Sequence, residues 1–190
     1  MLRAQMNPHF VFNSLNSIQG FFANNKFRVG NEFLGKFSRL IRRVLDQSVV
    51  HEITLREELE TLELYLELEK VRMNDRLHYQ FHFDPNLESE FIKVPPLVLQ
   101  PFVENAIWHG IAPKNDDGRI DIYLKTNATE DRLNVIVEDD GIGLKLKTAP
   151  SDHQSRGIQI TRERLGKDSL VTINNRKDRT GVRVEIEFAV

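Results

Sequence analysis

The hydrophobic period of this chain switches at Asn74 and Asp75, from spacings of three and four residues before that point to alternation after it. A chain patterned this way must lay down helices first and a sheet second, because only a 3.6-residue turn or a two-residue pleat brings each set of apolar side chains to one face. Val11, Leu15, Ile18 and Phe22 recur at spacings of four, three and four and predict the buried stripe of a first helix. Phe33, Phe37, Leu40 and Val44 repeat that spacing beyond the turn-prone Asn24 and Asn25, so two amphipathic helices can close into a hairpin. Thr54 with Glu57 three residues later predicts a capping box for a third helix running to about Met73, with Leu55, Leu59, Leu62 and Leu66 as its buried line. Beyond the switch, alternation predicts strands at 78–83, 120–124, 133–137, 170–173 and 182–188, with helices near 96–110 and 157–165 between them. Strands with helices gathered on one side predict an α+β class, a helical hairpin followed by a two-layer α/β sandwich.

Composition narrows the function. The chain has 190 residues, enough for one ordinary domain or two small ones. Its 26 basic and 28 acidic side chains are nearly balanced and form no concentrated basic run, so neither nucleic acid nor an anionic membrane is expected as the main partner. The absence of cysteine excludes disulfides and thiolate metal sites and fits a reducing compartment. No apolar run is long enough to span a bilayer and no secretory signal opens the chain, so this segment is expected to make no membrane contact.

Polar residues stand out against these patterns at three places. His9 falls nearly opposite the first stripe, with Gln5, Asn13 and Asn16 on its side, which reads as one imidazole among hydrogen-bonding side chains rather than a core histidine. Asn105 and His109 lie one turn apart beside a core line of Leu99, Val103, Ala106 and Gly110, in a helix whose start Pro95 and Pro96 are expected to set. That pair can meet a ligand or form a buried Asn–His hydrogen bond. Asp139 ends an apolar strand and runs into Asp140, Gly141, Ile142 and Gly143, where glycine permits positive φ and close backbone approach; a hairpin turn explains Asp-Gly equally well. Residues 144–156 are polar, hold Pro150 and Ser151 and lack an apolar period, and so read as a loop.

Taken together, PHFVFNSLN at 8–16, VPPLVLQPFVENAIWHG at 94–110 and EDDGIGL at 138–144 resemble, in order, the phosphoacceptor box, asparagine box and first glycine box of the LytS/YehU-type sensor histidine kinases of two-component systems. The resemblance covers nearly the whole chain. It implies that residues 1–50 are the dimerisation and histidine-phosphotransfer helices, half of a four-helix bundle completed by a second copy, and that 51–190 are an ATP-binding domain of the Bergerat (GHKL) type. It implies ATP and Mg2+ as cofactors, with Asn105 as the magnesium ligand and Asp139 receiving the adenine amino group. Gly141, Gly143, His109 and Gly157 would complete the nucleotide site, and Lys145, Lys147 and Arg156 could approach phosphates from a lid over 144–156. His9 would be the nucleophile, and a response-regulator receiver domain would accept the phosphate on an aspartate. In the commoner histidine kinases an acidic residue follows the histidine, but Phe10 stands there, which leaves Gln5 and Asn13 as candidates to orient the ring. Asn13 could also position a water for removing the phosphate. The chain opens inside the phosphoacceptor helix, which is expected to begin upstream, and the resemblance implies a sensor region there, commonly membrane-spanning.

The pattern is broken in places. The second glycine box reads GIQITRERL at 157–165, with Gln159 and Thr161 as departures; Gly181-Val182 replaces a usual Gly-Thr; and Trp108 stands where a lysine is usual, expected as an outward aromatic that packs on the lid or a partner. Two other readings stay open. One is an ATP-driven clamp of the gyrase or Hsp90 kind, although the position of its hydrolytic glutamate, four residues before the asparagine, holds Pro101. The other is a non-catalytic kinase-like interaction module, and for the first two helices a subdomain packed within one chain competes with a dimer.

Overall fold

The computed structural model describes residues 8–127, 129, 131–144, 161, 163–166 and 168–190. Helices α1 (Pro8–Ala23) and α2 (Phe27–Gln47) form the expected hairpin, turning through Asn25 at φ 58°. Strand β1 (Ile53–Thr54) leads into α3 (Leu55–Arg72), whose capping box is present: the Thr54 hydroxyl accepts from Glu57 N at 3.1 Å and the Glu57 carboxylate accepts from Thr54 N at 2.7 Å. Strand β2 (Leu77–Phe83), β3 (Lys93–Val94), α4 (Gln100–Asn105), β4 (Gly118–Thr126), β5 (Arg132–Asp139), β6 (Leu170–Asn175) and β7 (Val182–Ala189) follow. The main sheet has five strands in the order β2-β4-β5-β7-β6, parallel between β2 and β4 and antiparallel elsewhere, while β1 and β3 pair separately.

Each expected strand is present within one to two residues at either end. Alternation works because Ile120, Ile122 and Leu124 of β4, Leu133, Val135 and Val137 of β5, and Val184, Ile186 and Phe188 of β7 all turn to the buried face. The opposite face carries charged ladders: Arg119 and His82 on Asp121, Arg176 and Arg183 on Glu138, and Arg132 on Glu187.

The first helix corrects the expected stripe. Phe10 and Ser14 are its buried residues, while Leu15 is 45% exposed and Val11 and Ile18 are only partly covered. The buried line is shifted by one residue because Phe10 inserts between Phe37 of α2 and Tyr65 of α3, at ring-centroid distances of 6.3 and 5.0 Å. On α2 the expected Phe33, Phe37, Leu40 and Val44 are all buried.

Helix α3 is buried on more than its leucine line. Glu58, Thr61, Tyr65, Leu68 and Glu69 are also covered, since the helix lies between the hairpin and the sheet layer. Lys36–Glu67 and Arg43–Glu60 ion pairs and a Gln47–Thr61 hydrogen bond join it to α2. On its other flank the buried Glu58 carboxylate accepts Leu97 N at 2.7 Å and Leu99 N at 2.9 Å, which holds a turn where Leu97 takes φ 55°. Arg164, within the helical residues 163–165, donates to Pro96 O at 3.1 Å on the same turn. Pro95 and Pro96 therefore lie in this turn and not at the helix start; Pro101 occupies the first turn of α4, where a missing N–H leaves nothing unpaired.

Removing the Glu58 acceptor strands two buried amides, each worth about 1–3 kcal/mol when unpaired. Glu58→Ala is expected to lower unfolding free energy by roughly 2–5 kcal/mol, read as a lower urea midpoint, with Glu58→Gln intermediate.

Candidate functional site

The end of β5 delivers Asp139 to the interior, where it is 4% exposed. Its Oδ1 accepts Gly141 N at 2.8 Å and Val182 N at 3.3 Å, whereas no hydrogen bond among the described residues engages Oδ2. Three glycines from three segments make this burial possible. A Cβ at Gly110 would stand 2.7 Å from Asp139 Oδ1, one at Gly141 would stand 2.2 Å from the Gly110 carbonyl carbon, and one at Gly181 would stand 2.0 Å from Asp139 O. Ile142 N donates to Gly110 O at 3.0 Å, sealing the turn onto the helix, and Gly143 then turns at φ 76°. Burial pushes the Asp139 carboxyl up to about 6, against the two amides that favour its ionised form.

Asn105 closes α4, and the chain continues as a π-helical segment, Ala106–Ile111, before a 3₁₀ turn at Ala112–Lys114. The expected core line of Leu99, Val103, Ala106 and Gly110 is buried. Asn105 is half-buried and His109 is exposed at the rim, with its pKa lowered by partial burial. No side-chain hydrogen bond among the described residues engages either, so the Asn–His pair left open by the sequence does not form. A π segment is common at functional sites because its extra residue shifts side chains relative to a regular α-helix.

His9, in the first turn of α1, is exposed, as its opposition to the apolar residues predicts. Asn13 lies one turn on, its amide nitrogen 3.1 Å from both ring nitrogens. The imidazole also meets Trp108 edge-on, with ring centroids 6.0 Å apart and planes at 77°. Trp108 is thus not an outward aromatic: it packs on α1 of its own chain and against the Arg72 guanidinium, 5.0 Å from the ring centroid. The segment from Asn105 to Gly110 therefore touches the candidate phosphoacceptor through Trp108 and the buried carboxylate through Gly110.

Gln5, Lys145, Lys147, Arg156 and Gly157 lie outside the described residues. The sequence reading noted Gly181 only within an altered motif and missed its role beside Asp139, and it missed the contacts of Tyr65 with Phe10 and of Arg72 with Trp108. A glycine directly preceding the last alternating run was the available signal for Gly181.

The fold and the site can now be set against known proteins. A histidine kinase family model matches residues 1–77. The sensor protein LytS of Staphylococcus haemolyticus is 36% identical over 143 residues, 75% of this chain and 24% of that protein. The sensor histidine kinase/phosphatase LytS of Staphylococcus aureus is 37% identical over 146 residues, with the same two shares. LytS of Oceanobacillus iheyensis is 29% identical over 92% of this chain. Over three quarters of its length the chain is similar to LytS-type sensor histidine kinases. It spans about a quarter to a third of the length of these curated relatives. The histidine kinase domain of a blue-light activated kinase from Erythrobacter litoralis superposes with a TM-score of 0.56, covering 96% of this chain and 94% of that one at 16% identity. The catalytic domain of the histidine kinase ThkA gives a TM-score of 0.53 over 73% of this chain and 93% of that one, at 21% identity. These likenesses establish the α+β kinase fold.

The candidate site residues can be tested for fit to a magnesium nucleotide. No hydrogen bond among the described residues engages Asp139 Oδ2, which fits an oxygen that takes a hydrogen bond from an amino donor. No side-chain hydrogen bond among the described residues engages Asn105, which fits an amide oxygen offered to a cation. Among the described residues no group of three or more His, Asp or Glu could hold a metal, so a cation here would take most of its ligands from phosphate and water, as magnesium does.

The raised pKa of Asp139 sets a sign. A carboxyl whose folded pKa lies above its unfolded 3.8 contributes its stability in full below that value and loses it as pH rises through about 6. In the nucleotide-free protein the wild type is expected to lose roughly 3 kcal/mol relative to Asp139→Asn between pH 3.5 and pH 8. Denaturant midpoints of the two proteins across that range measure the difference.

Proposed function

We propose that this chain is the cytoplasmic catalytic portion of a two-component sensor kinase, which phosphorylates His9 from ATP and passes the phosphate to an aspartate of a response-regulator receiver domain. The observation that carries this reading is the single short segment, Asn105 to Gly110, lying against both the exposed His9 side and the glycine-caged Asp139. We take 1–50 as the dimerisation and phosphotransfer helices and 51–190 as the catalytic domain.

Bound ATP with magnesium would supply the γ-phosphoryl group and neutralise its charge. Asp139 would accept a hydrogen bond from the adenine amino group, with Gly141 and Gly143 letting the backbone approach the ring. Asn105 would offer magnesium one oxygen, with His109 one turn on in the same segment. Lys145, Arg156 and the amide of Gly157 at a helix start would meet phosphate oxygens. His9 attacks through a neutral ring nitrogen, and Asn13, turned so that its oxygen accepts the ring N–H, keeps the other nitrogen's lone pair available. Gln5 is a second candidate for that task. Asn13 would also place water for dephosphorylation, a role the kinase/phosphatase name of the Staphylococcus aureus relative makes worth testing.

Phe12, Leu15, Phe27, Leu34 and Leu45 remain between 40% and 66% exposed on α1 and α2. An apolar face of this kind supports a homodimer through the N-terminal helices, completing a four-helix bundle. None of the described helices is long and apolar enough to cross a membrane. We place this portion in the cytoplasm, carried by a membrane-spanning parent protein.

Incubation with labelled ATP and magnesium should give acid-labile label on the wild type that is lost in both His9→Gln and Asn105→Ala. Failure to bind nucleotide would instead favour a non-catalytic module. Asn13→Ala should reduce dephosphorylation of the labelled protein more than its labelling, and unchanged dephosphorylation would discard the water-placing role.

A further inference from the structure

Trp108 occupies an unusual place: it follows Asn105 by three residues, and its indole joins the nucleotide-binding helix to the first turn of α1 in the same chain. The indole is held from below. Arg72 lies 5.0 Å from its centroid, and Arg72 is itself 10% exposed and paired at 2.5 Å with the fully buried Glu69. Aromatic rings bind cations through the negative potential of their faces, and the bond strengthens when the cation is shielded from water. Tyr65, one turn before Glu69, receives Phe10 at 5.0 Å, so the residue next to His9 is anchored on the same helix that holds Arg72. Helix α3 thereby fixes both sides of the His9–Trp108 contact. The imidazole remains exposed while one edge of the contact is tied to the helix that carries Asn105.

We propose that Trp108 is a positioning residue that seats His9 beside the nucleotide site of its own chain, so that the first phosphoryl transfer is intramolecular. This inference rests on the proposed kinase reading. It accounts for the absence of an acidic neighbour after His9: the ring is oriented by Asn13 along the helix and by an aromatic from the catalytic domain, while Phe10 is used as the anchor. Holding an acceptor within reach raises rate through lost translational and rotational freedom that need not be removed again at each turnover.

The chain has a single tryptophan, so its intrinsic fluorescence reports this residue alone. In the nucleotide-free protein, His9→Ala is expected to raise acrylamide quenching of Trp108, because one edge of the indole is uncovered. Unchanged quenching would show that the contact is not populated and would overturn the proposal whatever the activity. Trp108→Ala is expected to slow labelling of His9 on the order of tenfold to a hundredfold with affinity for a fluorescent ATP analogue retained, and Trp108→Phe to recover most of the rate. Equal or faster labelling in Trp108→Ala would overturn it, the latter by making the contact inhibitory. Finally, His9→Gln and Asn105→Ala chains co-expressed to form mixed dimers should give no label; label on the Asn105→Ala chain would establish transfer between subunits. A wild type that takes no label at all defeats the kinase reading, while the quenching measurement still judges the contact.

Discussion

The burial of α3 on both flanks is the constraint on which the rest of the molecule depends. A helix with one apolar stripe can join only one layer, but α3 also covers Glu58, Thr61, Tyr65 and Glu69 and so serves two. Buried polar groups are normally partnered, and here the contacts tie the helix to elements of the candidate site, although the Tyr65 hydroxyl and one Glu69 oxygen have no hydrogen-bond partner among the described residues. Glu58 holds the turn before the asparagine-bearing helix, Glu69 holds Arg72 under Trp108, and Tyr65 receives Phe10. Burial raises the Glu58 and Glu69 carboxyls to about 7, so both sites hold their charge at the edge of neutrality.

The candidate site around Asp139 depends on a second kind of economy, in which side chains are left out. Asp139 reaches 4% exposure because Gly110, Gly141 and Gly181 allow a helix end, a turn and the start of β7 to close on it. Two amides satisfy one carboxylate oxygen, and no hydrogen bond among the described residues engages the other. The elevated pKa of this group expresses the same arrangement: burial disfavours the charged form by more than the two amides recover.

Much of this was legible in the sequence, for reasons particular to each element. The five strands could be read because each has one buried face and alternates cleanly, and α2 because it has a single core stripe. The capping box of Thr54 and Glu57 is a local device and formed as expected. The first helix was read one residue out of register, because Phe12 and Leu15 are apolar yet exposed, while Ser14 is polar yet buried. Periodicity cannot tell an apolar face that meets this chain's core from one that faces outward. The two prolines at 95 and 96 were placed at a helix start, whereas a turn fastened by Glu58 from 39 and 41 residues away delays that helix to Gln100.

Local order, then, was determined by the sequence itself: helices before strands, the capped start of α3, an imidazole opposite apolar residues, and a carboxylate delivered by a strand into glycines. These follow from backbone geometry and near-neighbour spacing, which act over one or two turns. Only the tertiary structure decided that Trp108 faces inward to His9, that Arg72 lies against the indole, and that Gly181 makes room for Asp139. Such contacts join residues separated by tens of positions, and they are selected by the close packing of whole layers, about which no single segment carries information.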